Sequence, residues 1–286
     1  MRSDFGDSVP FFKMHGSGNH FVLLDNRNLA VAVADMADWA RAVCRDGFGV
    51  GADGLIFLEE APGSDVDYRW HFYNADGSRA EMCGNGSRCA ARLAYELGMA
   101  GAGHAFGTDA GPIRAEVDPG SRLVKVQLTE PSNLELDLEL EVNGQPRTMH
   151  FVNTGVPHAV VVCTDVAAVN VAETGRAVRM HPRFAPAGTN VNFIQVLDRG
   201  RMHLRTYERG VEAETFACGT GAAASVVTAH ALDLCGPQVE VTTTGSEILQ
   251  ISIENDTVFL QGEATLAFEG RMYLDSLGIP RQGQGS

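Results

Sequence analysis

Short runs of apolar residues separated by glycine-rich turns recur along the whole chain, and this pattern predicts many β-strands. The segment from Leu134 to Val142 alternates leucine with polar residues, which is typical of a strand with one buried face. The other predicted strands are short segments rich in apolar, aromatic or β-branched residues and span 21–24, 54–58, 68–73, 122–128, 159–162, 192–196, 239–242 and 257–260. The chain is therefore predicted to be rich in β-sheet.

Two alanine-rich segments, 87–97 and 222–232, predict helices, and Gly98 is the expected stop of the first. Both segments are apolar around most of their circumference. A helix without a polar face is buried on all sides. We therefore expect each helix to be the central element of its own lobe.

The two predicted helices belong to an internal repeat. Each follows a Cys-Gly-x-Gly sequence, and the two cysteines, Cys83 and Cys218, lie 135 residues apart (218 − 83). Upstream, Asp53 matches Asn190 at a spacing of 137 (190 − 53), and an earlier histidine pair, at 20 and 158, keeps a spacing of 138 (158 − 20). Three matches in the same order indicate that the chain consists of two related halves.

The length of 286 residues also favours two lobes over one domain. We place the N-terminal lobe at 1–130 and the C-terminal lobe at 131–265, and we expect 266–286 to return to the first lobe. Residues 1–8 contain two acids and no apolar core, so they do not resemble a secretory signal. They are predicted to form a loose leader before the fold begins near Pro10.

The net charge of −14 argues against a nucleic-acid partner, because no basic surface is evident that would neutralise phosphates. No stretch approaches about 20 apolar residues, so no membrane span is predicted. Without export, a cytoplasmic location is expected, and the six cysteines should remain thiols. Cys44, Cys163 and Cys235 are expected in the core, and Cys89 is expected to pack within its helix.

A cysteine directly before a helix is chemically special. Its sulfur lies near unpaired backbone N–H groups and the positive end of the helix dipole, and both favour the thiolate. The glycines allow a ligand to approach the backbone, and the same N–H groups can hold a carboxylate. Two such turns facing each other would hold one carboxylate between two thiols. That arrangement suits inversion of an amino-acid α-carbon, with one thiolate as base and the other thiol as acid.

The sequence resembles the diaminopimelate epimerase family in several blocks that occur in the family's order. They are Lys13-Met14-His15-Gly16-Ser17-Gly18-Asn19, Asn74-Ala75-Asp76-Gly77-Ser78, Cys83-Gly84-Asn85-Gly86-Ser87-Arg88-Cys89, Tyr207-Glu208-Arg209-Gly210 and Ala217-Cys218-Gly219-Thr220-Gly221. The resemblance implies an isomerase without metal or cofactor, a cytoplasmic homodimer that acts on a small amino acid. Its reaction would convert LL- to meso-diaminopimelate in lysine and peptidoglycan-precursor synthesis. The implied fold is α/β (α+β), with two pseudo-symmetric lobes, each a barrel-like, mainly antiparallel sheet around a central helix.

Carried over by position, the resemblance implies that Cys83 and Cys218 are the acid/base pair. His158 and Glu208 match positions that tune the ionisation of the thiols. The positions implied to bind substrate are Asn19, Asn74, Gly84, Asn85, Asn190, Glu208, Arg209, Gly219 and Thr220. Glu208 suits an ammonium group, and Arg209 suits a carboxylate.

Two positions depart from the family's pattern. Val156 replaces an asparagine that many members carry, and Gly54 replaces a glutamine found in some. Both changes concern recognition of the distal end of the substrate.

Other functions remain open from the residues alone. A two-cysteine racemase acting on proline or hydroxyproline would use the same chemistry without charged partners for a second substrate head. A phenazine-biosynthesis-like isomerase shares the architecture but is not expected to carry both thiols. A cysteine hydrolase using His158 would leave one thiol unexplained and would form a covalent acyl-enzyme. A non-catalytic metal or redox module would use Cys83 and Cys218 as metal ligands or as a switch. Its metal content, and loss of activity with a chelator, would identify it.

Overall fold

A computed structural model describes residues 7–280, which form seventeen strands and four α-helices. The strands are β1 Ser8–Gly16, β2 Asn19–Asp25, β3 Gly54–Glu60, β4 Tyr68–Asn74, β5 Gly103–Thr108, β6 Gly111–Val117, β7 Leu123–Gln127, β8 Ser132–Val142, β9 Gln145–Asn153, β10 Pro157–Val162, β11 Asn190–Asp198, β12 Arg201–Glu208, β13 Ala213–Thr215, β14 Gln238–Thr242, β15 Ile248–Glu254, β16 Thr257–Glu263 and β17 Thr265–Tyr273. The helices are α1 Val33–Val43, α2 Gly84–Glu96, α3 Val171–Arg179 and α4 Gly219–Ala231. Short 3₁₀ turns span Pro182–Phe184 and Asp275–Leu277.

The described residues divide into two compact units. Unit 1 contains 7–126 together with 263–280, and unit 2 contains 127–262. The corresponding boundaries predicted from the sequence lie at 130/131 and 265/266. Of the expected leader, 1–6 lie outside the described residues, and β1 begins at Ser8, two residues before the predicted start at Pro10.

Unit 1 is a mixed sheet with the strand order β17-β1-β2-β3-β4-β5-β6-β7. The pairs β2/β3 and β4/β5 are parallel, and the other pairs are antiparallel. The helix α2 contacts β1, β2, β3 and β6 and is buried from Gly84 to Ala94. On the other face, α1 contributes Met36, Trp39, Ala40 and Val43 to a separate core cluster.

Unit 2 repeats this arrangement with the order β8-β9-β10-β11-β12-β14-β15-β16, and β13 adds to β12. Its parallel pairs, β10/β11 and β12/β14, occupy the same places in the order as those of unit 1. The buried helix is α4, which contacts β9, β10, β11, β12 and β15, and α3 packs on the other face. The internal repeat in the sequence therefore corresponds to a repeat of topology. The prediction of a mainly antiparallel α/β fold with central helices is confirmed.

The two central helices begin three residues earlier than predicted, at Gly84 and Gly219 rather than at Ser87 and Ala222. The glycines of Cys-Gly-x-Gly therefore form the first helical turn. The sequence analysis missed α1 and α3, which are short and carry polar residues on one side. None of the helices in the part of the chain that the structure describes is long and apolar enough to cross a membrane.

All six cysteines lie within 7–280, and no disulfide joins any of them there. Cys44, Cys89 and Cys235 are buried, as expected. Cys163 is only half-buried, so its predicted core position is wrong. It follows β10 at the edge of a core cluster, where its Sγ lies 3.6 Å from the carbonyl oxygen of Val161.

The core of unit 1 yields a stability prediction. Phe57 is fully buried in the cluster beneath α1, whereas Phe48 is 72% exposed. Phe57→Ala is expected to lower the free energy of unfolding by about 3–5 kcal/mol, because it leaves a cavity. Phe48→Ala should cost less than about 1 kcal/mol, mostly through loss of its contact with Arg45. Urea unfolding followed by circular dichroism measures both values, and equal losses would contradict this assignment of the core.

Candidate active site

The first candidate cysteine, Cys83, is the N-cap of α2. The backbone N–H of Gly86 donates to its Sγ over 3.5 Å, and the Sγ lies 3.8 Å from Oδ1 of Asn19. Asn19 begins β2, which is adjacent to β1 and β3 in the sheet around the helix. Two of the predicted site residues are thus brought together within unit 1.

The orientation of Asn19 depends on Asp53, a residue noted in the sequence only as part of the repeat. Nδ2 of Asn19 donates to Oδ2 of Asp53, which also accepts the backbone N–H of His20 over 2.9 Å. Asn19 Oδ1 is therefore the atom that faces Cys83. Asp53 is a further residue of this site. The feature of the sequence that could have indicated it is a carboxylate directly before the strand β3.

The remaining predicted residues of unit 1 lie around the same turn. Gly84 and Asn85 are buried in the first turn of α2, and Oδ1 of Asn85 has no hydrogen-bond partner among the described residues. Asn74 is exposed at the end of β4, where its Nδ2 donates to Oγ of Ser78 over 3.0 Å. Asn74 and Asp53 also line a cavity of about 590 Å³ together with Arg41 and Arg45.

Arg88 is a buried charge that the motif contains but the sequence analysis did not assign. It is fully buried in α2, and its guanidinium donates to Oγ of Ser17 over 2.6 Å and to the carbonyl of Glu263 over 3.3 Å. Ser17 has a positive φ of 59°, and the neighbouring Gly16 would meet Arg88 if it carried a side chain. Arg88 therefore ties the β1–β2 turn, which precedes Asn19, to the cysteine-capped helix.

The second candidate cysteine, Cys218, is the N-cap of α4 and is 8% exposed. Its Sγ lies 3.5 Å from Oγ1 of Thr220, in the first turn of the helix. Gly219 is buried beside it, and Thr220 is half-buried. Cys218 thus has a hydroxyl as its side-chain neighbour, whereas Cys83 has a carbonyl oxygen.

His158 is fully buried behind Thr220. Its Nε2 lies 3.1 Å from Thr220 Oγ1, and its Nδ1 lies 3.0 Å from Nδ2 of Asn192. Burial, assisted by the positive charge of Arg209, lowers the pKa of His158 from its ordinary value of 6.5 to about 3. His158 is therefore neutral at physiological pH and acts through hydrogen bonds.

Asn192 was missed by the sequence analysis. It is fully buried in β11, where Nδ2 also donates to the carbonyl of Ala159 over 3.1 Å and Oδ1 lies 3.0 Å from Oγ1 of Thr206. A polar residue between the apolar Val191 and Phe193 was the signal available in the sequence. Its interpretation required the neighbouring strands, because all its partners lie on β10 and β12.

The predicted substrate-binding residues of unit 2 outside the helix start are Asn190 in β11, Glu208 at the end of β12, and Arg209 directly after it. Oδ1 of Asn190 accepts the backbone N–H of Arg209 over 2.8 Å, and its Nδ2 donates to the carbonyl of Pro157 over 3.2 Å. The Arg209 guanidinium contacts the carbonyl of Ala187 at 3.4 Å. Burial raises the pKa of the Glu208 carboxyl, and Thr215 opposes this in part.

Of the two departures from the family's pattern, Gly54 has a local structural explanation, and nothing in the structure explains Val156. A Cβ at Gly54 would lie 2.5 Å from the ring of Phe72 and 2.7 Å from the carbonyl of Tyr73, so no side chain fits there. Val156 is half-buried and follows Gly155, whose φ is +99° and which packs beside Thr129. Among the described residues, no group of three or more histidine, cysteine or acidic side chains is arranged to hold a metal ion.

The fold is shared with solved structures of low sequence identity. A phenazine biosynthesis protein of the PhzF family from Bacillus anthracis aligns with a TM-score of 0.70 at 14% identity, covering 93% of this chain and 99% of its own. A probable proline racemase from Agrobacterium radiobacter K84 gives 0.68 at 16% identity, covering 93% of each chain. These neighbours define the class, a duplicated α/β fold built around two helices.

The sequence matches define the family within this class. The family model for diaminopimelate epimerase matches 11–134 and 150–267. A diaminopimelate epimerase from Aquifex aeolicus is 48% identical over 273 residues, 92% of this chain and 98% of the relative. One from Archaeoglobus fulgidus is 39% identical over 280 residues, covering 94% and 98%. This chain belongs to the diaminopimelate epimerase family.

The second glycines of the two Cys-Gly-x-Gly turns, Gly86 and Gly221, have unequal surroundings, which gives a matched prediction. A Cβ at Gly221 would collide with Oδ1 of Asn192 and lie 3.2 Å from Cys218 Sγ, whereas a Cβ at Gly86 would meet Ile56 at 3.3 Å and Trp70 at 3.4 Å. Gly221→Ala is expected to lower the free energy of unfolding by about 1–3 kcal/mol. Gly86→Ala should stay within about 1 kcal/mol, since the gain in helix propensity offsets mild crowding. Urea unfolding compares the two, and a larger loss at Gly86 would refute the assignment.

The neutral His158 yields a prediction of pH dependence. Because its pKa is depressed in the folded protein, its contribution to stability is complete above 6.5 and is lost as the pH falls toward about 3. Between about pH 6 and 5, it should make the free energy of unfolding fall by about 1 kcal/mol per pH unit. His158→Gln removes this component, so its unfolding free energy should depend less steeply on pH over that interval. Identical slopes in urea titrations would contradict the assignment.

Proposed function

We propose that this protein is a cofactor-independent epimerase that interconverts LL- and meso-diaminopimelate by proton transfer at the α-carbon. The observation that carries the proposal is the repeated placement of a cysteine as the N-cap of a buried helix, at Cys83 and Cys218. Membership of the diaminopimelate epimerase family supports the same reaction.

The chemistry requires a base on one face of the α-carbon and an acid on the other, and we assign these roles to the two thiols. The α-carboxylate is assigned to the N–H groups of the first helical turns, at Gly84, Asn85, Gly219 and Thr220. As the proton leaves, negative charge develops on this carboxylate, and fixed N–H donors stabilise it without reorganisation. Oδ1 of Asn85 has no partner among the described residues, so it is available to accept a hydrogen bond from a donor group of the ligand.

A substrate with two amino-acid heads needs charged partners at its distal end. We assign this end to Asn19, Asn74, Asn190, Glu208 and Arg209. The buried carboxyl of Glu208, with its raised pKa, would gain from a substrate ammonium that stabilises its charged form. His158 is assigned to tune Cys218 through its hydrogen bond to Thr220 rather than through a positive charge, because it is neutral.

The proposal extends to the setting of the enzyme. It includes two lobes corresponding to the two halves of the repeat, a cytoplasmic homodimer, and a place in lysine and peptidoglycan-precursor synthesis. It involves no metal and no cofactor. These points rest on the resemblance of the sequence to the family.

Proton NMR of LL-diaminopimelate in D₂O tests the reaction. The reduced wild-type enzyme should replace the α-proton signal by deuterium and form the meso isomer. Cys83→Ala and Cys218→Ala should each lower the rate of epimerisation by at least about 10²-fold, since each removes one proton-transfer group. Cys163→Ala, at a half-buried cysteine outside both helix starts, is the matched control and should retain activity.

Exchange of the α-proton of proline or hydroxyproline, but not of diaminopimelate, would be consistent with the two-thiol mechanism and would refute diaminopimelate as the substrate. Absence of exchange with every amino acid tested would refute the epimerase proposal.

A further inference from the structure

The side chains around the two candidate cysteines differ in hydrogen-bond polarity. We propose that two hydrogen-bond relays hold the resting enzyme with Cys83 as thiol and Cys218 as thiolate, and that Asn192 and Asp53 are the residues that position these relays. The inference rests on the proposed function for its catalytic meaning. Its structural basis is independent of the substrate.

The relay to Cys218 begins with the side chain of Asn192. The carbonyl of Ala159 only accepts hydrogen bonds, so the Asn192 atom 3.1 Å from it must be the amide nitrogen. The opposite atom, Oδ1, then accepts from the hydroxyl of Thr206 over 3.0 Å. The orientation of the Asn192 amide is thus determined by the backbone of β10.

The second N–H of Asn192 determines the tautomer of His158. Nδ2 lies 3.0 Å from Nδ1 of His158, which must therefore accept the bond. A neutral imidazole has one acceptor and one donor nitrogen, so the proton of His158 is on Nε2. The complete burial of His158 favours this neutral form.

The tautomer of His158 in turn orients the hydroxyl of Thr220. Nε2–H donates to Thr220 Oγ1 over 3.1 Å, so the hydroxyl hydrogen must point elsewhere. Cys218 Sγ lies 3.5 Å from the same oxygen. The hydroxyl hydrogen of Thr220 is thus available to the sulfur, and we assign Thr220 as the donor of this contact, which stabilises the thiolate.

The relay to Cys83 has the opposite polarity. The carboxylate of Asp53 only accepts, so it receives Nδ2 of Asn19 and leaves Asn19 Oδ1 facing Cys83 Sγ at 3.8 Å. A thiol at Cys83 can donate its S–H to this oxygen. A thiolate has no hydrogen to donate, so its negative charge would lie opposite the lone pairs of the oxygen and be disfavoured. The Gly86 N–H that also reaches Sγ, at 3.5 Å, is satisfied by a thiol as well as by a thiolate.

The two helix starts are not identical, because Cys83 Sγ accepts the N–H of Gly86 whereas Cys218 makes no side-chain cap hydrogen bond. The proposed difference in ionisation therefore depends on the neighbouring side chains, Asn19 in unit 1 and Thr220 in unit 2. Where Gly221 faces the polar Asn192, Gly86 faces the apolar side chains of Ile56 and Trp70. Other titratable groups around the two clusters include His20 and Lys13 near Asp53, with Cys44, Cys89 and Arg88 also in unit 1, and Glu208 and Arg209 in unit 2. In the free enzyme, Cys218 is then ready to accept an α-proton and Cys83 to supply one.

Alkylation by iodoacetamide as a function of pH, with peptide mass spectrometry, tests the inference on the intact wild-type enzyme. The pH dependence of the rate gives the half-ionisation pH of each thiol, whatever its accessibility. Cys218 is expected to be half-ionised at least about one pH unit below Cys83, a tenfold difference in the ratio of thiolate to thiol.

Asn192→Leu should raise the half-ionisation pH of Cys218 by about one unit, because the His158 tautomer is no longer determined. The value for Cys83 in the same sample should not change, which provides an internal control. Thr220→Val should act like Asn192→Leu, and Thr220→Ser should restore the wild-type value. Because Thr220 is half-buried, this second pair tests the relay even if Asn192→Leu fails to fold.

Ionisation of Cys83 at the same pH as Cys218 or below it would overturn the inference. An unchanged half-ionisation pH of Cys218 in Thr220→Val would also overturn it. The labelling uses no substrate, so its outcome is separate from that of the D₂O exchange experiment. If the half-ionisation pH values contradict the expectation while the enzyme epimerises diaminopimelate, only the inference is overturned. If the half-ionisation pH values agree with the expectation but the enzyme exchanges no α-proton, only the proposed function is overturned.

Discussion

Each unit depends on a helix that is buried along nearly its whole length and whose first turn begins at a cysteine. A buried helix cannot leave its first N–H groups to water, so its N-terminal end requires partners from the protein or from a ligand. In unit 1, the sulfur of Cys83 accepts one of these groups, from Gly86. The strands around α2 cover its sides, and the cysteine end is the natural place for an anion. The same constraint thus produces both the packing of the unit and its chemistry.

Part of this fold was predictable because some of its strands are buried on both faces. In β2 and β3, consecutive residues such as Val22, Leu23, Leu55 and Ile56 are fully buried, since α1 lies on one face and α2 on the other. Such strands are continuous apolar runs and are visible in the sequence. The helices α1 and α3 were not predicted, because each buries only one stripe of side chains and its polar residues resemble those of a loop.

The candidate site was predictable to the extent that it repeats. The two Cys-Gly-x-Gly turns identify each other, and the family resemblance added Asn19, His158, Asn190 and Arg209 as neighbours. Arg88 and Asn192 could not be assigned in this way. Their roles depend on which backbone groups lie opposite them, the β1–β2 turn for Arg88 and the carbonyl of Ala159 for Asn192. Those neighbours follow from strand register, which periodicity alone does not determine.

A repeated motif raises a chemical problem for an enzyme that needs an acid and a base at the same time. The backbone donors of the motif do not make Cys218 the more acidic thiol, since Cys83 Sγ accepts the Gly86 N–H and Cys218 makes no side-chain cap hydrogen bond. The proposed difference has to come from side chains, which diverge between the two units both at the variable position of the motif, Asn85 against Thr220, and outside it. His20 is partly exposed beside Asp53, whereas its counterpart His158 is fully buried beside Asn192. The repeat therefore provides two equivalent positions for sulfur, and divergence of the surrounding polar residues makes them chemically distinct.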